Sequence, residues 1–207
     1  MHPAYHRCKK VVDDYFKDVD LFIDIGVGFA DSEAWAVNCD IIGFEPNPIR
    51  FKDIDPVYPG KLYNKMVTSK DGYVYGFECS GFTTLYTDNN VHDGDTYKKR
   101  VYDSVSVDSI VGDYKSVFVW ADTEGSELDI LKGAANSLKN KVISVINLEV
   151  REDDNITTKY GWPSYTKIVE FLKQYDYVPI EEFNLNGADH MDLIFTTKER
   201  FYALRNM

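Results

Sequence analysis

Cysteine is scarce in this chain, basic residues are outnumbered, and no apolar run reaches the length of about 18 residues that a membrane-spanning helix needs. Cys8, Cys39 and Cys79 are widely spaced and form neither a CxxC pair nor a zinc-ligand set, so neither a disulfide framework nor a structural metal is indicated. A reducing compartment is expected. The N-terminus also lacks the charged-then-apolar layout of a secretion leader, and the expectation is a soluble cytoplasmic protein with no membrane partner. Lys and Arg number 23 against 34 Asp and Glu, and the net charge of -11 repels a phosphate backbone, which argues against nucleic acid as a partner. No repeat, low-complexity tract or linker divides the 207 residues, and 44% of them are hydrophobic, enough for one core. A single domain over residues 1–207 is therefore expected.

What is present is an alternation of apolar runs and amphipathic stretches. Tyr5, Cys8, Val12, Tyr15 and Val19 recur at helical spacing and predict a covering helix over residues 1–20. Leu21 to Ile25 is a short apolar run ending at a glycine turn. Asp31 to Asn38 reads as a helix and Ile41 to Phe44 as a second strand, which together make a βαβ unit with parallel strands. Residues 56–103 are aromatic and punctuated by glycine. They predict a strand near Leu62 to Val67, a hairpin-like excursion that includes Tyr73 to Phe77, and a mobile loop at Asp88 to Lys99, a candidate substrate gate. Val117 to Ala121 is a further buried strand. It leads into a helix bearing Leu128, Leu131, Ala135 and Leu138 on one face, with Ser126 and Asp129 at capping-box spacing. Val142 to Val150 predicts a long strand, Pro163 opens an amphipathic helix, and Met191 to Thr197 closes the sheet.

Chemistry concentrates at three places. In "FIDIGVGFADSE", Gly26 and Gly28 lie between strand and helix, where a side chain would hold the backbone away from a bound nucleoside. In "IIGFEPNP", Glu45 ends the second strand, where a carboxylate can accept hydrogen bonds from both hydroxyls of a ribose. A nicotinamide dinucleotide and S-adenosylmethionine both satisfy these two stretches. Asp24 tilts the choice, because a carboxylate before the glycines repels a pyrophosphate but tolerates the amino group and sulfonium of S-adenosylmethionine. In "VFVWADTEGSELDILKGA", Asp122 and Glu124 follow a central strand at its carboxyl end, where ligands bind in open α/β sheets. Glu127 in the same stretch reads more simply as a partner of the helix dipole.

Taken in order, "DIGVGFADS", "GFEPNP", "SVSVDSI", "ADTEGSELDILKGA" and "INLEV" resemble the FkbM-type methyltransferases, a branch of the class I S-adenosylmethionine-dependent enzymes. The resemblance covers roughly Leu21 to Val150, and Asp122 to Ala134 is its most specific piece. It implies a Rossmann-like α/β fold with a mostly parallel seven-stranded sheet, helices on both faces, and O-methylation of sugars or other small molecules. It further implies that Asp24, Gly26 and Gly28 line the methionine end of the cofactor, Glu45 holds the ribose, and Met66 and Val67 lie near the adenine. Asp122 and Glu124 would sit by the methyl group, with Glu149 beside them. The chain departs from the pattern at Trp120, where a lysine is common, and at Arg151, where a histidine is frequent.

Methyl transfer is an in-line displacement in which alignment of the reacting atoms dominates. A base that takes the hydroxyl proton would assist, and Asp122, Glu124, Glu149 and His190 are the candidates. The carboxylates could instead hold a divalent cation, although no metal-specific spacing is present. Tyr58, Tyr63, Tyr73, Tyr75, Phe77, Phe82 and Tyr86 could stack on a sugar acceptor or simply cover the sheet. Two other readings stand beside methyl transfer: an NAD-dependent oxidoreductase, and a non-catalytic scaffold that only binds S-adenosylmethionine.

Overall fold

The computed structural model describes residues 17–28, 37–79, 82–85, 98–151, 163–184 and 190–205. In chain order the first half comprises β1 (Leu21–Ile25), β2 (Asp40–Phe44), α1 (Pro48–Ile54), β3 (Lys61–Tyr63), β4 (Met66–Val67), β5 (Gly72–Cys79), β6 (Phe82–Thr84) and β7 (Lys98–Val105). The second half comprises α2 (Val107–Val111), β8 (Val117–Ala121), α3 (Glu127–Lys132), α4 (Ala135–Lys139), β9 (Ile143–Arg151), α5 (Tyr165–Lys173), β10 (Tyr177–Asn184), β11 (His190–Thr197) and α6 (Lys198–Arg205). The expected helices over residues 1–20 and Asp31 to Asn38 fall largely outside the described residues, as does most of the loop from Asp88; Lys98 and Lys99 of that stretch belong to β7.

Seven strands form the main sheet in the order β10-β11-β9-β8-β1-β2-β3. The run from β9 to β3 is parallel, and β11 and β10 are antiparallel additions. Continuous apolar runs such as β1 and β8 suit this position because a parallel sheet is covered on both faces. Leu21, Ile23 and Ile25 pack on one side with Val119, Leu131, Ile168 and Leu172. Phe22 packs on the other with Phe118, Trp120, Tyr58 and Ile194. Phe22 and Phe118 meet edge to face with ring centroids 5.0 Å apart.

Four expectations need correction. The stretch Leu62 to Val67 is not one strand: β3 belongs to the main sheet, while β4 joins a second sheet of order β4-β7-β5-β6. The chain turns between them, with Lys65 N–H donating to Tyr63 O and the Asn64 amide donating to the carbonyls of Glu45 and Pro46. The helix after β8 is broken into α3 and α4 at Gly133, where a Cβ would lie 2.1 Å from the Thr68 carbonyl oxygen. Its capping box does not form: Ser126 makes no side-chain cap bond and instead accepts from Leu85 N–H, while Asp129 accepts from Ser69 N–H. Finally, β11 does not close the sheet. It lies inside β10, a strand disguised in the sequence by Pro179, which sits at an irregularity on the edge where a missing N–H is tolerated. The helix expected at Pro163 begins at Tyr165, capped by the Ser164 hydroxyl accepting from Lys167 N–H.

Candidate active site

The glycine turn is fixed by its neighbours. Gly26 has φ +84°, its N–H donates to Phe44 O at 2.9 Å, and a Cβ there would lie 2.0 Å from the Asp122 carbonyl oxygen. The turn after β1 and the loop after β8 are thus in backbone contact, reinforced by Asp122 N–H donating to Ile25 O at 3.0 Å. Gly28 has φ +60°, and a Cβ there would be in ordinary contact with Gly26 O at 3.6 Å and Arg50 Nη1 at 3.8 Å. Its N–H donates to Glu45 Oε2 at 3.0 Å. The other oxygen, Oε1, accepts from Asn47 N–H at 2.6 Å. Burial raises the pKa of Glu45 above the usual carboxylate value, and these two N–H groups and then the Arg50 charge partly offset that rise. Asn47 in turn caps α1, accepting from the N–H groups of Ile49 and Arg50.

Asp24 is fully buried, and its Oδ2 accepts from the Tyr58 hydroxyl at 2.7 Å. Gly43 makes room for this contact, since a Cβ there would meet the Tyr58 ring at 2.5 Å. Burial, followed by the Asp24 charge, pushes the Tyr58 hydroxyl far above its usual range. Nothing in the sequence reading gave Tyr58 this role. The signal was there in a buried strand carboxylate that needs a donor and a glycine on the adjacent strand.

Beyond β8, Asp122, Glu124 and Glu149 bring one oxygen each within 4.8 Å of one another. Glu124 adopts φ +55° and Gly125 φ +107°, a sharp bend held from inside by Glu127. Glu127 is 1% exposed, and its Oε1 accepts from Thr123 N–H, the Thr123 hydroxyl and Gly125 N–H at 3.1, 2.8 and 3.4 Å. Its main work is therefore to fold the loop rather than to meet the helix dipole. Burial pushes its carboxyl up to about 7. Glu149 is pushed up to about 10, first by burial, then by the Asp122 charge and the hydrogen bond to Asp122. Three oxygens so placed can share a proton or a cation.

Residues 25–179 match the family described as Methyltransferase FkbM domain. The chain belongs to this family. Its fold is that of class I S-adenosylmethionine-dependent methyltransferases. Magnesium protoporphyrin IX methyltransferase (ChlM) from Synechocystis PCC 6803, solved with bound S-adenosylmethionine, superposes with a TM-score of 0.52 at 10% identity, over 94% of this chain and 78% of that one. A putative type 11 methyltransferase from Sulfolobus solfataricus gives 0.51 at 10% identity, over 93% and 92%. No curated protein matches in sequence.

In this FkbM-family chain the expected site residues fall into two groups in backbone contact. Gly26, Gly28 and Glu45 form one, joined by the Gly28–Glu45 hydrogen bond; Asp122, Glu124 and Glu149 form the other. Met66 and Val67 are both 4% exposed and pair with Ser104 and Val105 of the second sheet. The His190 backbone opens β11 opposite Arg151, and its side chain lies outside the described residues. Trp120 faces the core with Phe118, at a centroid distance of 6.4 Å, rather than the site.

Proposed function

We propose that this chain is an S-adenosylmethionine-dependent O-methyltransferase acting on a hydroxyl of a sugar or another small molecule. One observation carries the reading: the strand ends that meet around the glycine turn bring several carboxylates, with the Arg50 guanidinium near Gly28 among them. Glu45 follows β2, Asp122 and Glu124 follow β8, and Glu149 lies near the end of β9, while Asp24, one residue before the end of β1, is buried against Tyr58. The carboxylates Glu45, Asp122 and Glu124 outnumber the Arg50 cation and favour a cofactor with an ammonium and a sulfonium over a pyrophosphate. Gly28, whose N–H donates to Glu45 at 3.0 Å, puts no side chain beside the carboxylate that would hold a ribose. The Synechocystis enzyme of the same fold holds S-adenosylmethionine, in keeping with this choice.

The bound cofactor supplies an electrophilic methyl group. Glu45 accepts from the ribose hydroxyls, and the turn from Gly26 to Gly28 lies along the methionine end. Glu149 keeps its proton at neutral pH and donates it to Asp122, which holds the negative charge facing the acceptor. Glu45 and the Gly26–Gly28 turn would hold the cofactor so that its methyl group faces an acceptor hydroxyl beside Asp122. The hydroxyl proton passes to Asp122.

Calorimetric titration with S-adenosylhomocysteine, on wild type and on Glu45→Ala, tests the cofactor assignment. Losing the ribose bonds and the tether to Gly28 weakens binding by roughly 1.5 to 3 kcal/mol. Equal affinity removes Glu45 from the site. A melting temperature raised by NADH and not by S-adenosylhomocysteine would replace methyl transfer with the dinucleotide reading. A methyl-transfer screen over glycans and hydroxylated small molecules then tests the acceptor class, and binding without turnover on any of them would favour a scaffold.

A further inference from the structure

Each oxygen of Glu45 is already engaged once, Oε2 by Gly28 N–H and Oε1 by Asn47 N–H. A carboxylate oxygen has two lone pairs, so one place remains on each for an incoming hydroxyl, which suits the paired hydroxyls of a ribose. A hydroxyl that gives its proton to a carboxylate still carries lone pairs of its own. Away from water these need a donor, and an ionised Glu45 can only accept.

A donor stands close by, and Asn47 fixes where it stands. The Asn47 N–H holds Glu45, while its side-chain oxygen accepts from the N–H groups of Ile49 and Arg50 in the first turn of α1. The helix is turned so that Ile49 faces solvent at 65% exposure and Arg50 is half-buried. The guanidinium lies beside the glycine turn, with Arg50 Nη1 3.8 Å from the position of a Cβ on Gly28. Gly28 is also the residue whose N–H donates to Glu45 at 3.0 Å, so a cation and a carboxylate flank one residue of the turn. The Arg50 charge accordingly acts on Glu45, opposing the effect of burial after the two N–H groups.

We propose that Arg50 is a specificity residue for the ribose of the cofactor: Glu45 accepts from the ribose hydroxyls, and the Arg50 guanidinium donates to the oxygen of one of them. A guanidinium suits this role because it carries several N–H donors in a fixed plane and stays charged at any working pH. A site built on a carboxylate alone bonds a hydroxyl once. The Glu45–Arg50 pair bonds it twice, as acceptor and as donor, and a missing hydroxyl leaves both groups uncompensated. The proposal rests on the assignment of S-adenosylmethionine made above.

The test is calorimetric titration of wild type, Arg50→Met and Arg50→Lys with S-adenosylhomocysteine and with its 2′-deoxy and 3′-deoxy counterparts. Wild type is expected to bind at least one deoxy ligand about tenfold more weakly than the parent. Arg50→Met should bind the parent about tenfold more weakly than wild type does and discriminate less against the deoxy ligand whose missing hydroxyl was the partner of Arg50. Arg50→Lys keeps a donor and should recover part of both. A loss by the same factor for all three ligands marks a role through Glu45 or through folding, which ligand-free melting temperatures tell apart, and either counts against the proposal. Undiminished affinity and discrimination in Arg50→Met overturns it while leaving the cofactor assignment and Glu45 intact. A wild type that binds S-adenosylhomocysteine yet ignores the loss of either hydroxyl overturns the ribose role of Glu45 with it, and failure to bind at all overturns the cofactor assignment as well.

Discussion

Replacing Gly26 by alanine should be far more damaging than the same change at Gly28, although the two glycines are two residues apart in one turn. At Gly28 the cost is conformational, since φ is +60° and nothing lies within 3.6 Å of the new methyl group; a non-glycine residue in that region costs about 1–2 kcal/mol. Gly26 carries the same backbone penalty at φ +84°, and its methyl would also lie 2.0 Å from the Asp122 carbonyl oxygen and 3.0 Å from its carbon. Relief to ordinary contact needs a backbone shift of more than about 1 Å, which overpacking results put at roughly 1–3 kcal/mol more. Gly26→Ala is thus expected to lose about 2–5 kcal/mol of unfolding free energy and Gly28→Ala about 1–2. Urea denaturation followed by tryptophan fluorescence measures both. Equal losses would mean that the turn and the Asp122 loop do not touch as described.

Other expectations concern the carboxylates. Tyr58→Phe removes the hydroxyl that donates to the buried Asp24 and should cost about 1–3 kcal/mol in the same urea assay; a loss below about 0.5 kcal/mol would contradict the pairing. Glu127 is raised to about 7 from an ordinary 4.5, so the folded state keeps a proton that the unfolded chain releases between those values. The stability tied to that proton is full below about 4.5 and declines as pH rises through about 7. Glu127→Gln should flatten this slope, and parallel pH–stability curves for variant and wild type would count against it. Asp122→Asn should slow single-turnover methyl transfer by about 10²-fold or more, and an unaltered rate would remove Asp122 as the proton acceptor.

Strands were legible where burial was complete. β1 and β8 lie where their apolar runs do, because a strand covered on both faces admits little but Val, Ile, Leu and Phe. The pairing of Glu45 with the glycine turn was likewise readable, since strand, turn and strand fix where the carboxylate must stand. What escaped were features that depend on contacts distant in sequence. Gly133 ends α3 because the Thr68 backbone passes against it, a contact across more than sixty positions that no local periodicity encodes. Ser126 and Asp129 had the spacing of a cap, but Leu85 and Ser69 claimed their side chains. Tyr58 appeared as one more aromatic residue until Asp24 was seen to need its hydroxyl. β10 was hidden because proline reads as a breaker, a rule that an edge position relaxes.

The borders of the main sheet carry a consequence of their own. One is β3, only three residues long, and the other is β10, whose pairing slips between Pro179 and Glu181. Neither offers the long, flat row of free amides and carbonyls on which a stray chain could dock as an additional strand. A predominantly parallel sheet, slow to assemble because its partners are remote in sequence, is thereby finished without leaving a template for runaway growth.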